Sequence, residues 1–311
     1  MELERPARAV LHRTRLPGRA LPGLRAIGLG AEWLAGRVPL FHWTDYVVPP
    51  VATRTRVVMT LHDCAFAADP AFHGAQAAEL AARTRAAIAR ADAIVCPTQA
   101  TADDAVALLD APGSKLRVVP FGADHGPEPA APPLRGEPYV LMLGTIEPRK
   151  NHLNALAAWR ALGASRPRLV VVGRPGWNCA DAVAALRDAA ARERVSWLPI
   201  VDEAQRASLV AHARCLLYPS RLEGFGFPVL EALRRGVPVV CGDTPALREV
   251  AAQTAVYCDP LDVASIAAAV VAALGDGDAG AAARRRARAA GFRWSAAAAA
   301  HAALYHELLA G

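Results

Sequence analysis

The chain of 311 residues has no apolar run long enough to span a bilayer as a helix, which argues against an integral membrane protein. It has no CxxC pair. Its six cysteines, Cys64, Cys96, Cys179, Cys215, Cys241 and Cys258, sit mostly inside apolar runs. They read as buried thiols in a reducing compartment, which sets aside a disulfide framework and a zinc site. It has no repeat of solenoid length, no low-complexity tail and no convincing Asp-x-Asp metal motif. It has no large excess of charge of one sign. The net charge is +6, spread along the chain. The basic residues form no stripe interleaved with aromatics, so a nucleic-acid partner is not expected. The N-terminus carries charges where a signal peptide needs an apolar core. These absences leave a cytoplasmic protein as the expectation. One stretch departs from the balance: Arg5, Arg8, Arg13, Arg15, Arg19, Arg25 and Arg37 face only Glu2, Glu4 and Glu32. That stretch is either a frayed basic tail or a peripheral contact with an anionic membrane surface.

What is present is a large apolar fraction, 53%, arranged in a regular pattern. Short apolar runs at 56–61, 93–96, 116–119, 139–143, 168–172, 214–218 and 237–241 alternate with amphipathic segments near 73–90, 98–109, 152–163, 180–192, 203–212 and 228–235. Runs apolar on both faces suit parallel strands covered by helices on both sides. The alternation predicts βαβ units and doubly wound α/β sheets. It breaks at 125–138, HGPEPAAPPLRGEP, where proline can neither donate to a ladder nor continue a helix. The expected organisation is an N-terminal half over 1–124, a linker over 125–138, a second half over 139–292 and a last helix within 293–311 that packs back on the first half.

Ligands of doubly wound sheets bind beyond the carboxyl ends of the strands, so the loops after residues 61, 143, 172, 218 and 241 carry the interest. After 218 the chain reads Glu223-Gly224-Phe225-Gly226-Phe227-Pro228-Val229-Leu230-Glu231. Gly224 and Gly226 permit close backbone approach to a ligand. Pro228 suits the first turn of a helix, whose free N–H groups and dipole would seat a diphosphate. Glu231 is expected in that first turn, able to accept from ribose hydroxyls. Glu223 is expected to face a transferred sugar. The plainer reading is a glycine turn with a dipole-compensating glutamate. After 143 the chain reads Gly144-Thr-Ile-Glu-Pro-Arg149-Lys150-Asn151. Arg149 as a fork and Lys150 as a point charge suit a diphosphate at the mouth of a cleft, or form a solvated basic turn.

The Glu223 to Glu231 segment, EGFGFPVLE, resembles the Glu-x7-Glu signature of retaining GT-B glycosyltransferases of group 1, or family 4. GTIEPRKN resembles the segment that precedes it in that family. The resemblance continues through GVPVVCGDTPALREV, YCDP and the Phe292-Arg-Trp294 segment. It extends more loosely over the N-terminal half from about Phe41. The resemblance implies two Rossmann-like domains facing a cleft, with the nucleotide sugar held by the second. It implies that Arg149 and Lys150 neutralise the leaving diphosphate and that Gly144 lines the donor site. Glu231 would bind the ribose. Glu223, with Gly224 and the backbone of Phe225, Gly226 and Phe227, would face the donor sugar. Thr60-Leu61-His62-Asp63 resembles a histidine–aspartate pair of the family, so His62 would contact the sugar or the acceptor hydroxyl. Fixed cations and helix N–H groups would stabilise the departing diphosphate without a metal or other cofactor.

GTIEPRKN is similar to a segment of mannosyltransferases of bacterial surface-polysaccharide assembly. This implies GDP-mannose as donor, with UDP-sugars open, and a saccharide or lipid-linked saccharide as acceptor. The sequence departs from the family at its start. No strand precedes 39–43, PLFHW, so the first domain is expected to be incomplete, lacking the usual first β–α unit. Two other functions stay open: a nucleotide-sugar-binding protein without transfer activity, and another GT-B enzyme such as a sugar-nucleotide epimerase or a glycogen-synthase-like polymerase.

Overall fold

The strands form because their side chains are apolar on both faces, and the two faces feed different cores. The computed structural model describes residues 38–46, 54–130, 134–276 and 278–310, and residues 30, 36, 49 and 51 singly. The arginines of the opening stretch lie outside the described residues, as does most of the stretch ahead of β1 where the first β–α unit is expected to be lacking.

The first sheet holds β1 (Leu40–Trp43), β2 (Arg56–Thr60), β3 (Ala93–Cys96) and β4 (Leu116–Val118), parallel and in the spatial order β1-β2-β3-β4. The expected helix over 73–90 is broken at its start. A short helix α1 (Ala65–Ala68) and two 3-10 turns, Pro70–Phe72 and Gly74–Gln76, precede α2 (Ala77–Arg90). Pro70 and Gly74 sit where a continuous helix would have to pass, and each opens a turn instead. Helix α3 (Gln99–Leu109) follows β3, with Thr98 as N-cap.

Val57, Met59, Ile94 and Cys96 point to one face, where Phe66, Ile88 and Leu109 cover them. Val58, Ala93 and Val95 point to the other. That face is covered from the far end of the chain. The last helix, α11 (Trp294–Ala310), packs Ala297, Leu304, Tyr305 and Leu308 against it.

The second sheet is parallel, in the order β10-β9-β8-β5-β6-β7. It comprises β5 (Tyr139–Leu143), β6 (Arg168–Val172), β7 (Val195–Leu198), β8 (Cys215–Tyr218), β9 (Val239–Gly242) and β10 (Val256–Cys258). Tyr139 and Leu141 face one core, and Val140 and Met142 the other. Its helices are α4 (His152–Ala161), α5 (Ala180–Arg192), α6 (Glu203–Ala211), α7 (Phe227–Arg235), α8 (Pro245–Ala251), α9 (Val263–Leu274) and α10 (Ala279–Ala289). The chain runs from β5 to β6 and β7 in one direction, then returns to place β8 on the other side of β5. The space between β5 and β8 is therefore the switch point of this sheet, where the loops after both strands open a crevice. Two parallel-sheet α/β domains of this kind are the GT-B architecture.

Five of the six cysteines are buried, as their apolar surroundings predict. Cys179 is half-buried in the loop ahead of α5. No helix among the described residues is long and apolar enough to cross a membrane.

His152 opens α4 and is 4% exposed, and its Nδ1 has no hydrogen-bond partner. Burial, reinforced by Lys150, lowers its pKa from 6.5 to about 4. The native state therefore holds this imidazole neutral, while the unfolded chain protonates it near 6.5. Its stabilising contribution is complete above pH 6.5 and is lost as pH falls toward 4, by about 3 kcal/mol in all. Urea midpoints measured between pH 7.5 and 4 should fall less in His152→Leu than in the unmodified chain. Parallel curves would count against a buried neutral histidine.

Candidate active site

Glu223 follows β8 and is 8% exposed. Its Oε2 accepts from Arg149 Nη1 at 2.8 Å, and its Oε1 from Lys150 Nζ at 2.5 Å. Both cations come from the 3-10 turn Pro148–Lys150 after β5, so the pair spans the switch point. Arg149 also binds Glu147 Oε1 through Nη2 at 2.9 Å and donates to the Leu222 carbonyl. Lys150 donates to the Tyr218 hydroxyl and lies 4.7 Å over that ring.

The backbone makes the turn rigid. Arg221 N–H donates to the Arg149 carbonyl, and Asn151, in the left-handed region at φ 62°, donates through Nδ2 to the Pro219 and Pro260 carbonyls. Burial alone would raise the Glu223 carboxyl. Lys150 and Arg149 overcome it and hold the group at about 2. Glu147 goes the other way. Burial raises its pKa despite Arg149 and Lys150, and its Oε2 has no partner.

The two cations expected at the cleft mouth, with a solvated basic turn as the alternative, lie mostly buried in this structure. Arg149 and Lys150 are only 15% and 11% exposed, and each is already neutralised by a carboxylate. Sequence spacing shows adjacent cations; it does not show that Glu147 and Glu223 converge on them.

Glu231 also needs correction. Helix α7 begins at Phe227 with Gly226 as N-cap at φ 105°, so Glu231 is its fifth residue and lies in the second turn. It is about a quarter exposed and paired with Arg206 at the start of α6. Burial raises its pKa in spite of that partner. A cavity of about 30 Å³ lies between Glu231, Arg206, Arg234 and the turn His125–Pro127. Gly144, beside Lys150, begins the loop after β5.

The first domain meets the glycine loop directly. A Cβ on Gly224 would stand 1.7 Å from the His62 carbonyl oxygen, so only glycine fits there. Thr98 and Thr101 donate their hydroxyls to the Gly224 carbonyl at 2.9 and 3.2 Å. His62 Nε2 lies 3.0 Å from the Thr44 carbonyl. A carbonyl only accepts, so this contact requires the proton on Nε2. The His62 ring packs between Tyr46 and Phe121. Phe121 in turn packs on Phe225, Phe227 and Trp294. Asp63 Oδ1 accepts from the Ala65 N–H at 3.0 Å, just ahead of α1. Glu249 of α8 accepts from the N–H groups of Gln99 and Ala100 at 2.8 and 2.6 Å, so the second domain caps a helix of the first.

Residues 128–292 match the model of the family described as glycosyl transferases group 1, and residues 2–127 match that of glycosyltransferase family 4. The chain belongs to the group 1 glycosyl transferases. The chain is 29% identical over 252 residues to the O-antigen chain mannosyltransferase B of Escherichia coli, covering 76% of this chain and 65% of that protein. It is 35% identical over 133 residues to a serotype-specific mannosyltransferase WbdA of Escherichia coli, covering 41% of this chain and 16% of that one. The chain thus spans less than two thirds of the curated relatives it matches first. Its fold is similar to that of a sucrose-phosphate synthase from Thermosynechococcus elongatus, with a TM-score of 0.76 at 21% identity over 94% of this chain and 79% of that one.

In this group 1 glycosyl transferase the residues that sequence reasoning missed are Glu147, Tyr218, Arg206 and Glu249. Glu147 lies inside the GTIEPRKN segment itself. The others come from separate elements and leave no local signal.

Arg149→Ala would leave the Glu147 and Glu223 carboxylates buried without their shared fork. Removing one partner of a buried ion pair typically costs about 3–5 kcal/mol. Urea unfolding of Arg149→Ala should show a loss of this order. An unchanged midpoint would mean that the cluster is solvated and loosely held.

Proposed function

We propose that the chain moves a hexose, with retention, from a nucleoside diphosphate sugar to a saccharide or lipid-linked saccharide acceptor. The observation that carries this reading is the convergence of Arg149, Lys150 and Glu223 at the switch point, beside the N-terminus of α7. In the structure the two cations are held by carboxylates. On donor binding they would exchange those partners for diphosphate oxygens, whose charge grows as the bond to the anomeric carbon breaks. Glu223, released from the cations, would face the sugar together with Gly224 and the backbone of Phe225, Gly226 and Phe227. His62 would lie on the acceptor side. Glu231 would part from Arg206 to accept from ribose hydroxyls. The new bond joins the anomeric carbon to the acceptor oxygen, and the acceptor's proton leaves with the diphosphate.

Mannose is the sugar this reading favours, with GDP-mannose as donor, supported by the two Escherichia coli mannosyltransferases to which the chain is similar. A role in surface-polysaccharide assembly rests on the same likeness. The arginine-rich opening would hold the enzyme against an anionic membrane face, within reach of a lipid-linked acceptor.

Calorimetric titration with GDP, UDP and ADP tests the donor side. GDP should bind, and Glu231→Ala should weaken it by about tenfold, the worth of a 1.4 kcal/mol contact. Glu223→Gln should keep nucleotide affinity while cutting the transfer rate by about a hundredfold or more. Binding of none of the three nucleotides would sink the whole reading. Nucleotide binding with no product from the unmodified chain, over a panel of sugars and acceptors, would leave a binding protein without transfer activity.

A further inference from the structure

The loop after β6 presents Trp177, a large apolar side chain that is 43% exposed. Its ring is stacked on His73 of the first domain, with centroids 5.2 Å apart and planes 30° from parallel. Its Nε1–H donates to the Phe72 carbonyl at 2.8 Å, which fixes the ring while much of the side chain stays exposed. Polar side chains frame this platform. Arg221 lies 4.8 Å over the Phe72 ring and pairs with Asp69 at 3.1 Å, both partly exposed. Asn178, exposed and held in the left-handed region at φ 47°, lies against the same Phe72 carbonyl at 3.4 Å. His73 Nδ1 has no partner.

The platform is tied to the ion cluster at two points. Gly176 N–H donates to the Ile146 carbonyl, one residue from Glu147, and Arg221 N–H donates to the Arg149 carbonyl.

A flat aromatic face ringed by a guanidinium, a carboxylate and an amide is the chemistry that recognises a neutral sugar. The C–H face of a pyranose is apolar and weakly positive, and it meets the negative face of an aromatic ring. Its hydroxyls each donate and accept, and planar polar side chains satisfy them in pairs. We propose that Trp177, stacked on His73 and framed by Asp69, Arg221 and Asn178, is the subsite that holds a ring of the acceptor saccharide beside the reaction centre. The inference rests on the glycosyl-transfer reading and names the surface that reading lacks. The donor requires charge, which the buried cluster supplies. The platform supplies an aromatic face and hydroxyl partners, as an uncharged ring requires.

The test uses the full chain labelled with 5-fluorotryptophan, the Trp177 fluorine resonance being assigned by its loss in Trp177→Phe. With GDP present, the chain is titrated with glucose, galactose, mannose and their α-linked di- and trisaccharides. The Trp177 resonance should move saturably with at least one of them. Binding of that saccharide, measured separately by calorimetry, should persist in Trp177→Phe, which keeps a ring, and weaken about tenfold or more in Trp177→Ala. Both variants should bind GDP as the unmodified chain does. A resonance that responds to none of the saccharides overturns the proposal, as does equal saccharide affinity in Trp177→Ala. Loss of GDP binding by the unmodified chain would instead defeat the reading of the donor site. The fluorine measurement on the unmodified chain decides the question even if Trp177→Ala does not fold.

Discussion

The buried pairing of Glu223 with Arg149 and Lys150 is the interaction on which the rest of this structure turns. It joins the loop after β5 to the loop after β8, the two strands between which the sheet reverses its order. Charges this deeply enclosed are expensive unless every one has a partner. That requirement shapes the neighbourhood. Glu147 is drawn in to share Arg149, and Tyr218 to accept from Lys150. Asn151 takes a left-handed backbone so that its amide can tie two proline carbonyls from other loops. Burial and the Glu223 carboxylate raise the Tyr218 hydroxyl well above its ordinary range, so Tyr218 stays neutral beside the carboxylate.

The two sheets solve a second problem, that of strands apolar on both faces. The second sheet covers itself with helices from its own stretch of chain. The first sheet does not, and one of its faces would meet water without α11. The chain must therefore cross between the domains twice, and the two crossings are fastened to each other. Ala123 N–H donates to the Phe292 carbonyl, and Trp294 N–H to Asp124 Oδ1 at 2.8 Å. The hydrophobic demand of β2 and β3 thus fixes where the chain crosses between the domains.

Much of this was legible in the sequence because it is periodic or locally coded. Unbroken apolar runs such as YVLML and RLVVV can hardly be anything but covered parallel strands, and both are. The glycine loop and the start of α7 were equally plain from Gly224, Gly226 and Pro228. Two strands went unread. In β7, VSWL, a serine breaks the apolar run; β10, VYC, is too short to show a period. The alanine-rich α9 and α10 also went unread: α9 is apolar nearly all round, and in α10 an amphipathic pattern is carried only by alanine against a cluster of arginines. At the site, residue types were readable and partners were not. That Arg149 and Lys150 are cations near a strand end follows from GTIEPRKN. That they are quenched by Glu223, 73 or 74 positions away, is a property of the switch point alone.

The seam between the domains differs in kind from these crossings. Across it, Thr98 and Thr101 reach the Gly224 carbonyl, Glu249 caps α3, Arg221 pairs with Asp69, and Trp177 donates to Phe72. These contacts are made by loop ends and helix termini, beside the stacking of Trp177 on His73; the neutral hydrogen bonds among them are worth about 0.5–1.5 kcal/mol net and those to charged groups about 1.5–3, because water replaces them when they part. Glu249 is the instructive case. Its carboxylate satisfies N–H groups that α3 would otherwise offer to solvent, so separating the domains exchanges one good partner for another. Breaking the Glu223 cluster has no such compensation while it stays buried. The closed seam is therefore far cheaper to open than the ion cluster is to undo in place.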